Sequence, residues 1–467
     1  VTPLIGARRR AVGLLACAAA LTAPTAAQAR SSTLQTGFMD IAAFTSPEAS
    51  TWMQRSADVG ATRVRVNIFW AQVAPSAPAG EAAADPGWAG YAFAAFDAQV
   101  RAAVAAGLAP YINVSRAPTW AEAGGRGSGV GPGSWKPDAA AFGRFMTAVA
   151  KRYSGSFVDP VTGPLPRVDA FQLWNEPNLD TYLAPQWENG KPYAPSRFRE
   201  LVNAGYGGVK AAQPQATVVT GGLAPFGDYR TTNGKRIPPV SFLRSMLCLD
   251  AKLARSCRAE ARFDVLAHHP YAVRKPSSGA LNADDVTIPD LGKLTAVTAA
   301  ARRAGTLAGS SRLWVTEVSY DSSPPDPNGV PTTTLNRWIP ELLWRLWDQG
   351  AENITWYQVR DESSAKGFDA TYQSGMFLND GTRKPSAQAF RFPLTVTGKT
   401  SKRLKVWLRS PVAGRAKVQV RLGGKWRTVA ATSVKVSGVR TLTVPRARTT
   451  AVRAVVGAET SVVWSLR

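Results

Sequence analysis

Phe171-Gln172-Leu173-Trp174-Asn175-Glu176-Pro177-Asn178 and Leu313-Trp314-Val315-Thr316-Glu317-Val318-Ser319-Tyr320 are the two stretches on which the fold of this chain turns. Each is a buried-strand run that delivers a glutamate where it ends. Pro177 cannot donate to a strand ladder, so it stops the first run just past Glu176. Working outward, six more strand-like runs can be placed, near 34–40, 62–69, 108–114, 217–221, 263–269 and 354–359; with the runs at 168–174 and 313–317, which open into the two stretches, they make eight. Helical patterns lie between them at 91–106, 139–153, 196–213, 291–304 and 333–349. Strands that alternate with helices read as parallel strands joined by crossovers. Eight such units over roughly 360 residues predict an α/β fold, a (β/α)8 TIM barrel with long loops. An open doubly wound sheet would offer a Gly-rich turn from an early strand into a helix. The glycine-rich stretch here, 124–134, follows Trp120 instead and reads as a loop beside the barrel mouth.

The 467 residues exceed one typical domain. A content of 45% apolar residues, with 15 Trp, excludes a mostly disordered chain. Two His and three Cys leave too few soft ligands for a zinc or iron–sulfur catalyst, so no metal and no cofactor are expected. The net charge of +24 is unevenly spread. From Arg391 to Arg467 there are 17 Lys/Arg and one acid, Glu459, whereas 30–390 carries only +5. That basic tail alternates apolar and polar residues in short runs (RLKVWLRS, RAKVQVRL, KWRTVA, TSVKVSG), the pattern of a small all-β sandwich-like domain over 399–467. Gly398-Lys399-Thr400 reads as the end of the linker after a barrel domain of 30–392. The basic face is either a solubilising surface or a contact for anionic cell-wall polymer or polysaccharide. A nucleic-acid partner is not expected.

Residues 1–29 have the form of a secretory signal peptide: Arg8, Arg9 and Arg10, an apolar run from Ala11 to about Leu21, then Ala27-Gln28-Ala29 as a cleavage site. The apolar run is too short for a membrane anchor. In an exported chain, Cys248 and Cys257 are expected to form a local disulfide. A monomer is expected.

Two carboxylates at barrel strand ends suit the cleavage of a glycosidic bond, in which one carboxylic acid protonates the leaving oxygen and a second carboxylate attacks the sugar carbon. A lone strand-end Glu could merely bond locally, but Glu176 and Glu317 occupy matching positions. Asn175 is placed to bind a sugar hydroxyl. Arg65 on the second strand and Tyr271 are placed to orient Glu317. His269 and Tyr271 share a face and point into the mouth, leaving His268 to the core. Trp356 is expected as a sugar platform, with Trp120, Trp70 and Trp187 as loop candidates. Asn113, Gln358 and Asp40 are polar groups expected near the mouth. The insertions 75–88, 120–137 and 271–289 are expected to wall a cleft, favouring a short-substrate pocket over an open groove.

These residues carry a family resemblance. LWNEPN, WVTE, HPY, VRVN and WYQ, together with RYSG, LAHHPY and SYDSSPPDP, resemble the clan of retaining (β/α)8 glycoside hydrolases, which includes the cellulase-like and β-xylosidase-like families. The nearest resemblance is to secreted actinobacterial cellulase-family proteins, although Trp174 before Asn-Glu-Pro looks more like the xylosidase-like members. The resemblance covers roughly 34–392. It implies a glycan substrate, retention at a β-type linkage, Glu176 as acid/base and Glu317 as nucleophile. It also implies that Arg65 and Tyr271 are carboxylate partners, and that Asn175, His269 and Trp356 bind substrate. Transglycosylation through the same covalent intermediate, or a barrel that binds sugar without cleaving it, are the alternatives.

Overall fold

The computed structural model describes residues 30–229, 233–309 and 312–466. The expected leader, with Cys17, lies outside the described residues. Eight parallel strands close into a barrel in chain order: β1 (Gln35–Met39), β2 (Arg63–Phe69), β3 (Ala109–Ser115), β4 (Ala170–Asn175), β5 (Thr217–Gly222), β6 (Val265–His268), β7 (Arg312–Val318) and β8 (Ala351–Tyr357). This is the expected (β/α)8 barrel. Seven of the strands lie within a few residues of the positions read from the sequence. β8 begins three residues early and ends before Gln358, a shift that matters at the site.

Helices pack outside the strands, and their ends follow ordinary capping chemistry. Helix α1 (Ala139–Arg152) starts where the Asp138 carboxylate accepts the Ala141 N–H at 2.6 Å, and it ends on Lys151 and Arg152 beside the helix carbonyls. Its apolar face buries Phe142, Phe145, Met146 and Val149. Helix α2 (Ala194–Ala212) approaches it so closely that a Cβ at Gly208 would lie 2.2 Å from the Gly143 carbonyl oxygen. Only glycine allows that contact. Inside the barrel, Tyr111, Ala170, Val219, Val265, Ala267 and Trp314 form a cluster drawn from strands alone, separate from the larger core under the helices. It fills the lower barrel and leaves the polar residues nearer the carboxyl ends to form the mouth.

The tail is a two-sheet unit with its own core of Phe392, Leu394, Val406, Val418, Val420 and their neighbours. One sheet pairs β9 (Leu394–Lys399), β10 (Arg403–Arg409) and β13 (Val439–Pro445). The other pairs β11 (Gly414–Leu422) with β12 (Lys425–Val434) and β14 (Ala451–Val456). Here the structure corrects the sequence reading. Gly398 and Lys399 are not linker but the end of β9, and the chain passes from a short helix, Ser386–Arg391, almost directly into the tail. The linker-like composition instead marks a bulge at Gly398 and the turn into β10.

The first sheet docks on the barrel. Trp407 and Val439 join the barrel core, and Trp407 lies 6.0 Å from the Trp347 ring. Fully buried Arg409 donates to the Leu34 carbonyl at 2.8 Å, the Gly60 carbonyl at 3.1 Å and Ser437 Oγ at 2.9 Å. Leu34 and Gly60 precede β1 and β2, so the tail holds the end of the barrel opposite the strand-end glutamates. Among the described residues no helix is long and apolar enough to cross a membrane. Cys248 and Cys257 are joined as a disulfide, as expected.

Candidate active site

The end of β4 is shaped by two residues with left-handed backbone, Trp174 at φ 78° and Glu176 at φ 38°. Such angles are costly for large side chains and persist where the surroundings hold them. Trp174 turns away from the mouth, buried against Phe142, and its indole donates to the Tyr182 carbonyl at 2.8 Å. Asn175 and Glu176 turn inward. The Glu176 N–H donates to the Gly222 carbonyl at 3.0 Å. Gly222 is there for a second reason: a Cβ on it would lie 2.1 Å from His269 Nε2. That glycine makes the space the histidine ring occupies.

The two carboxylates have different companions. Arg65 Nη1 donates to Glu317 Oε1 at 2.6 Å, and Nη2 donates to Asn175 Oδ1 at 2.7 Å. The Tyr271 hydroxyl donates to the other Glu317 oxygen at 3.2 Å. Asn113 joins the same network: in the amide orientation that satisfies both ends, it accepts from Arg65 Nη2 at 3.1 Å and donates to the Trp174 carbonyl at 2.7 Å. Glu176, in contrast, meets His269 Nδ1 at 2.9 Å. His269 Nε2 lies 3.0 Å from Thr316 Oγ1, which also accepts from Gln172 at 3.1 Å. Burial, and then the Glu317 charge, push the Tyr271 phenol well above its ordinary pKa, so it stays a donor. Burial likewise raises Tyr182 to about 12 and raises Tyr357 and Tyr372.

A cleft of about 400 Å³ opens over this network. Arg65, Asn113, Asn175, Glu176, Tyr271 and Glu317, all singled out in the sequence, line it together. His269 is fully buried behind Glu176 and reaches the carboxylate rather than the cleft. His268 points to the core as expected; its Nε2 contacts the Val286 carbonyl at 2.9 Å, and burial pushes its pKa down to about 3.

Several expected ligand groups do not line the cleft. Trp356 is buried under the outer layer, against Phe390 and bonded to the Ser374 carbonyl. Its strand neighbour Tyr357 faces the cleft instead, because adjacent strand residues point to opposite faces. Gln358 falls just beyond β8 and donates to Glu362 at 2.6 Å. Asp40 caps the short helix Ile41–Phe44 by accepting from Ala43 and also accepts from the Val359 and Arg360 N–H groups; burial raises its pKa to about 6. Trp120 stands edge-on to buried Trp70 and bonds the Ala74 carbonyl, so both belong to the aromatic core, and Trp187 packs at its margin. Of the three long insertions, only 271–289 reaches the cleft, through Tyr271, and the glycine-rich loop contributes nothing to it.

The residues the sequence reading missed come mainly from loops. Tyr182, Phe226, Arg236 and Tyr372 line the cleft beside Tyr357, whose ring meets that of Tyr372 edge-on at 5.0 Å. Loop residues carry no periodicity that would announce them. Tyr357 could have been found by counting parity back from the strand-end positions.

Glu176, His269 and Glu317 each offer a donor atom within 4.8 Å of the others, the metal-compatible group among the described residues. The ring nitrogens of His269 are already engaged by Glu176 and Thr316, and the Arg65 cation already balances Glu317. The donor set is therefore satisfied by protein groups and does not fit a resident cation.

The sequence matches no protein-family model, and no curated protein matches it. Solved structures do resemble the fold. One is a family 39 glycoside hydrolase from the gut symbiont Bacteroides cellulosilyticus WH2, at 16% identity and a TM-score of 0.57, covering 89% of this chain and 81% of that one. Another is a glucosidase from Croceicoccus marinus, at 14% identity and a TM-score of 0.51, covering 89% of this chain and 96% of that one. At such identities the likeness is one of fold.

Proposed function

We propose that this chain is a retaining glycoside hydrolase acting on a β-linked glycan by double displacement, with Glu176 as acid/base and Glu317 as nucleophile. The observation that carries this reading is the asymmetry of the two carboxylates across one cleft. Glu317 is fixed through both oxygens by Arg65 and Tyr271, the arrangement that aims an anionic nucleophile. Glu176 holds a single buried partner, His269, and is the more exposed of the pair, as a group that exchanges a proton with substrate and water requires. A carboxylate oxygen of each lies within 4.8 Å of the other's. That short gap supports retention, for which about 5–5.5 Å between the carboxyl groups is usual, against about 6.5–9.5 Å for inversion. The glycosidase names of the structures with this fold support the same class.

In the first step Glu317 attacks the anomeric carbon while Glu176 gives its proton to the departing glycosidic oxygen, leaving a glycosyl ester on Glu317. In the second, Glu176 takes a proton from water, whose oxygen displaces Glu317 and restores the original configuration. Asn175, held by Arg65, and Asn113 present amides to sugar hydroxyls, and Tyr357 and Tyr372 offer ring faces. The reading extends to export as residues 30–467, which the Cys248–Cys257 disulfide supports because such bonds persist in oxidising compartments. Following the anomeric proton of the first-formed sugar by NMR during cleavage of aryl β-glycosides tests the mechanism. Initial release of the β-anomer is expected; initial release of the α-anomer refutes it.

A further inference from the structure

On β11 the positive charge is sorted by the strand register. Inward residues of β11, Ala416, Val418 and Val420, are buried in the sandwich core. The alternate residues Arg415, Lys417, Gln419 and Arg421 therefore share its outer face. On one side they pair with Ser433, Ala431, Thr428 and Trp426 of β12; on the other, Lys417, Gln419 and Arg421 pair with Val455, Arg453 and Ala451 of β14. Arg453 lies 4.4 Å over the Trp426 ring and donates to Gln419 at 2.8 Å, which holds its guanidinium in place. Arg415, Lys417, Arg421 and Arg453 thus stand on one flat face, and among the described residues none of them is in an ion pair. The tail's single acid, Glu459, is bound to Arg391 at the barrel. The other sheet meets the barrel through Trp407 and Arg409. This sheet touches it at the edge beyond β14, where Gln388 donates to the Thr460 carbonyl and Arg337 to the Ser465 carbonyl, and it leaves Arg415, Lys417 and Arg421 exposed.

We infer that the outer face of β11, β12 and β14 is a binding surface for a linear anionic polysaccharide, recognised by Arg415, Lys417, Arg421 and Arg453. Alternate strand positions are about 6.6–6.8 Å apart, so the β11 cations form a straight row about 20 Å long that an extended polyanion can follow. Other polyanions fit the face less well. Single-stranded nucleic acid depends on aromatic platforms for base stacking, and Trp426, the aromatic ring among the paired residues of this face, has Arg453 over it. A membrane surface would call for apolar side chains to insert, and this face presents mainly small and polar neighbours. The face lies far from the cleft and does not depend on the glycosidase reading.

The test is affinity electrophoresis and titration of the full chain with polygalacturonate, neutral galactan, a single-stranded oligonucleotide and anionic phospholipid vesicles. Polygalacturonate is expected to bind best, with affinity falling as salt rises. The quadruple variant Arg415→Ser, Lys417→Ser, Arg421→Ser, Arg453→Gln is expected to weaken that binding about tenfold or more, since each cation at an anionic surface adds to affinity. A control that removes the same charge elsewhere on the tail (Lys399→Ser, Lys402→Ser, Arg403→Ser, Lys405→Ser) is expected to weaken it far less. Equal weakening in both variants would mean that net charge alone acts and would overturn the assignment. So would tighter binding of the oligonucleotide or the vesicles, or unchanged binding by the first variant. Circular dichroism of both variants separates lost binding from lost folding.

Discussion

Strands β4 and β7 end alike and β1 ends almost like them, yet the three strand-end carboxylates do different things. Glu317 on β7 meets a guanidinium and a phenol. Glu176, just past β4, meets one histidine nitrogen and the open cleft. Asp40, just past β1, meets three backbone N–H groups and no cleft at all. A strand end in a barrel supplies an address, and the donors waiting there decide the use. Backbone donors consume a carboxylate for structure; side-chain donors reaching in from other strands leave one face of it free to react.

The largest effect should come from the carboxylate with the most dedicated donors. Glu317→Ala is expected to reduce turnover of aryl β-glycosides by at least about 10⁴-fold while the thermal midpoint changes little, because the covalent step is lost. Turnover near that of the unmodified chain would end the comparison. Glu176→Ala should cost about 10²–10⁴-fold with a poor leaving group and far less with a dinitrophenolate, which leaves without a proton. Equal losses on both substrates would remove Glu176 from the acid role. Arg65→Lys keeps the charge but cannot hold Glu317 and Asn175 with one planar fork. A fall in kcat of roughly 10–100-fold is expected from the mispositioned pair, with a smaller change in KM. A KM effect alone would make Arg65 a binding residue.

Asp40 should give the smallest effect, one confined to stability. Its folded-state pKa, raised to about 6, lies above the ordinary 3.8. The protonated form is therefore the better tolerated one, and stability from this group is full below pH about 4 and falls as pH rises through about 6. The loss amounts to about 3 kcal/mol at most. Denaturant titrations from pH 4 to 7 should show that slope in the native chain and a flatter one in Asp40→Asn, with kcat preserved. A matching collapse of kcat would place Asp40 in the site after all.

Much of the site was legible because barrel strands are short and regular. Glu176 and Glu317 could be placed at strand ends, and Arg65 and Asn113 on the second and third strands, from pattern alone. Errors arose where parity failed: a strand read three residues late put Trp356 in the cleft, where Tyr357 stands. The tryptophans misled because an indole packs under a helix as readily as it faces a sugar, and Trp120 and Trp70 do the former.

The sequence by itself determined the alternation of strands and helices, the two strand-end glutamates and the separation of a near-neutral barrel from a basic tail. All of these are local, written in periodicity, punctuation and composition. Only the tertiary structure decided that Arg65 spans from Glu317 to Asn175, that Gly222 makes room for His269, and that Arg415, Lys417, Arg421 and Arg453 stand together on the outer face of the tail's second sheet. Those are contacts between segments far apart in the chain. They depend on strand register and on side chains meeting within hydrogen-bond distance, which no local pattern encodes.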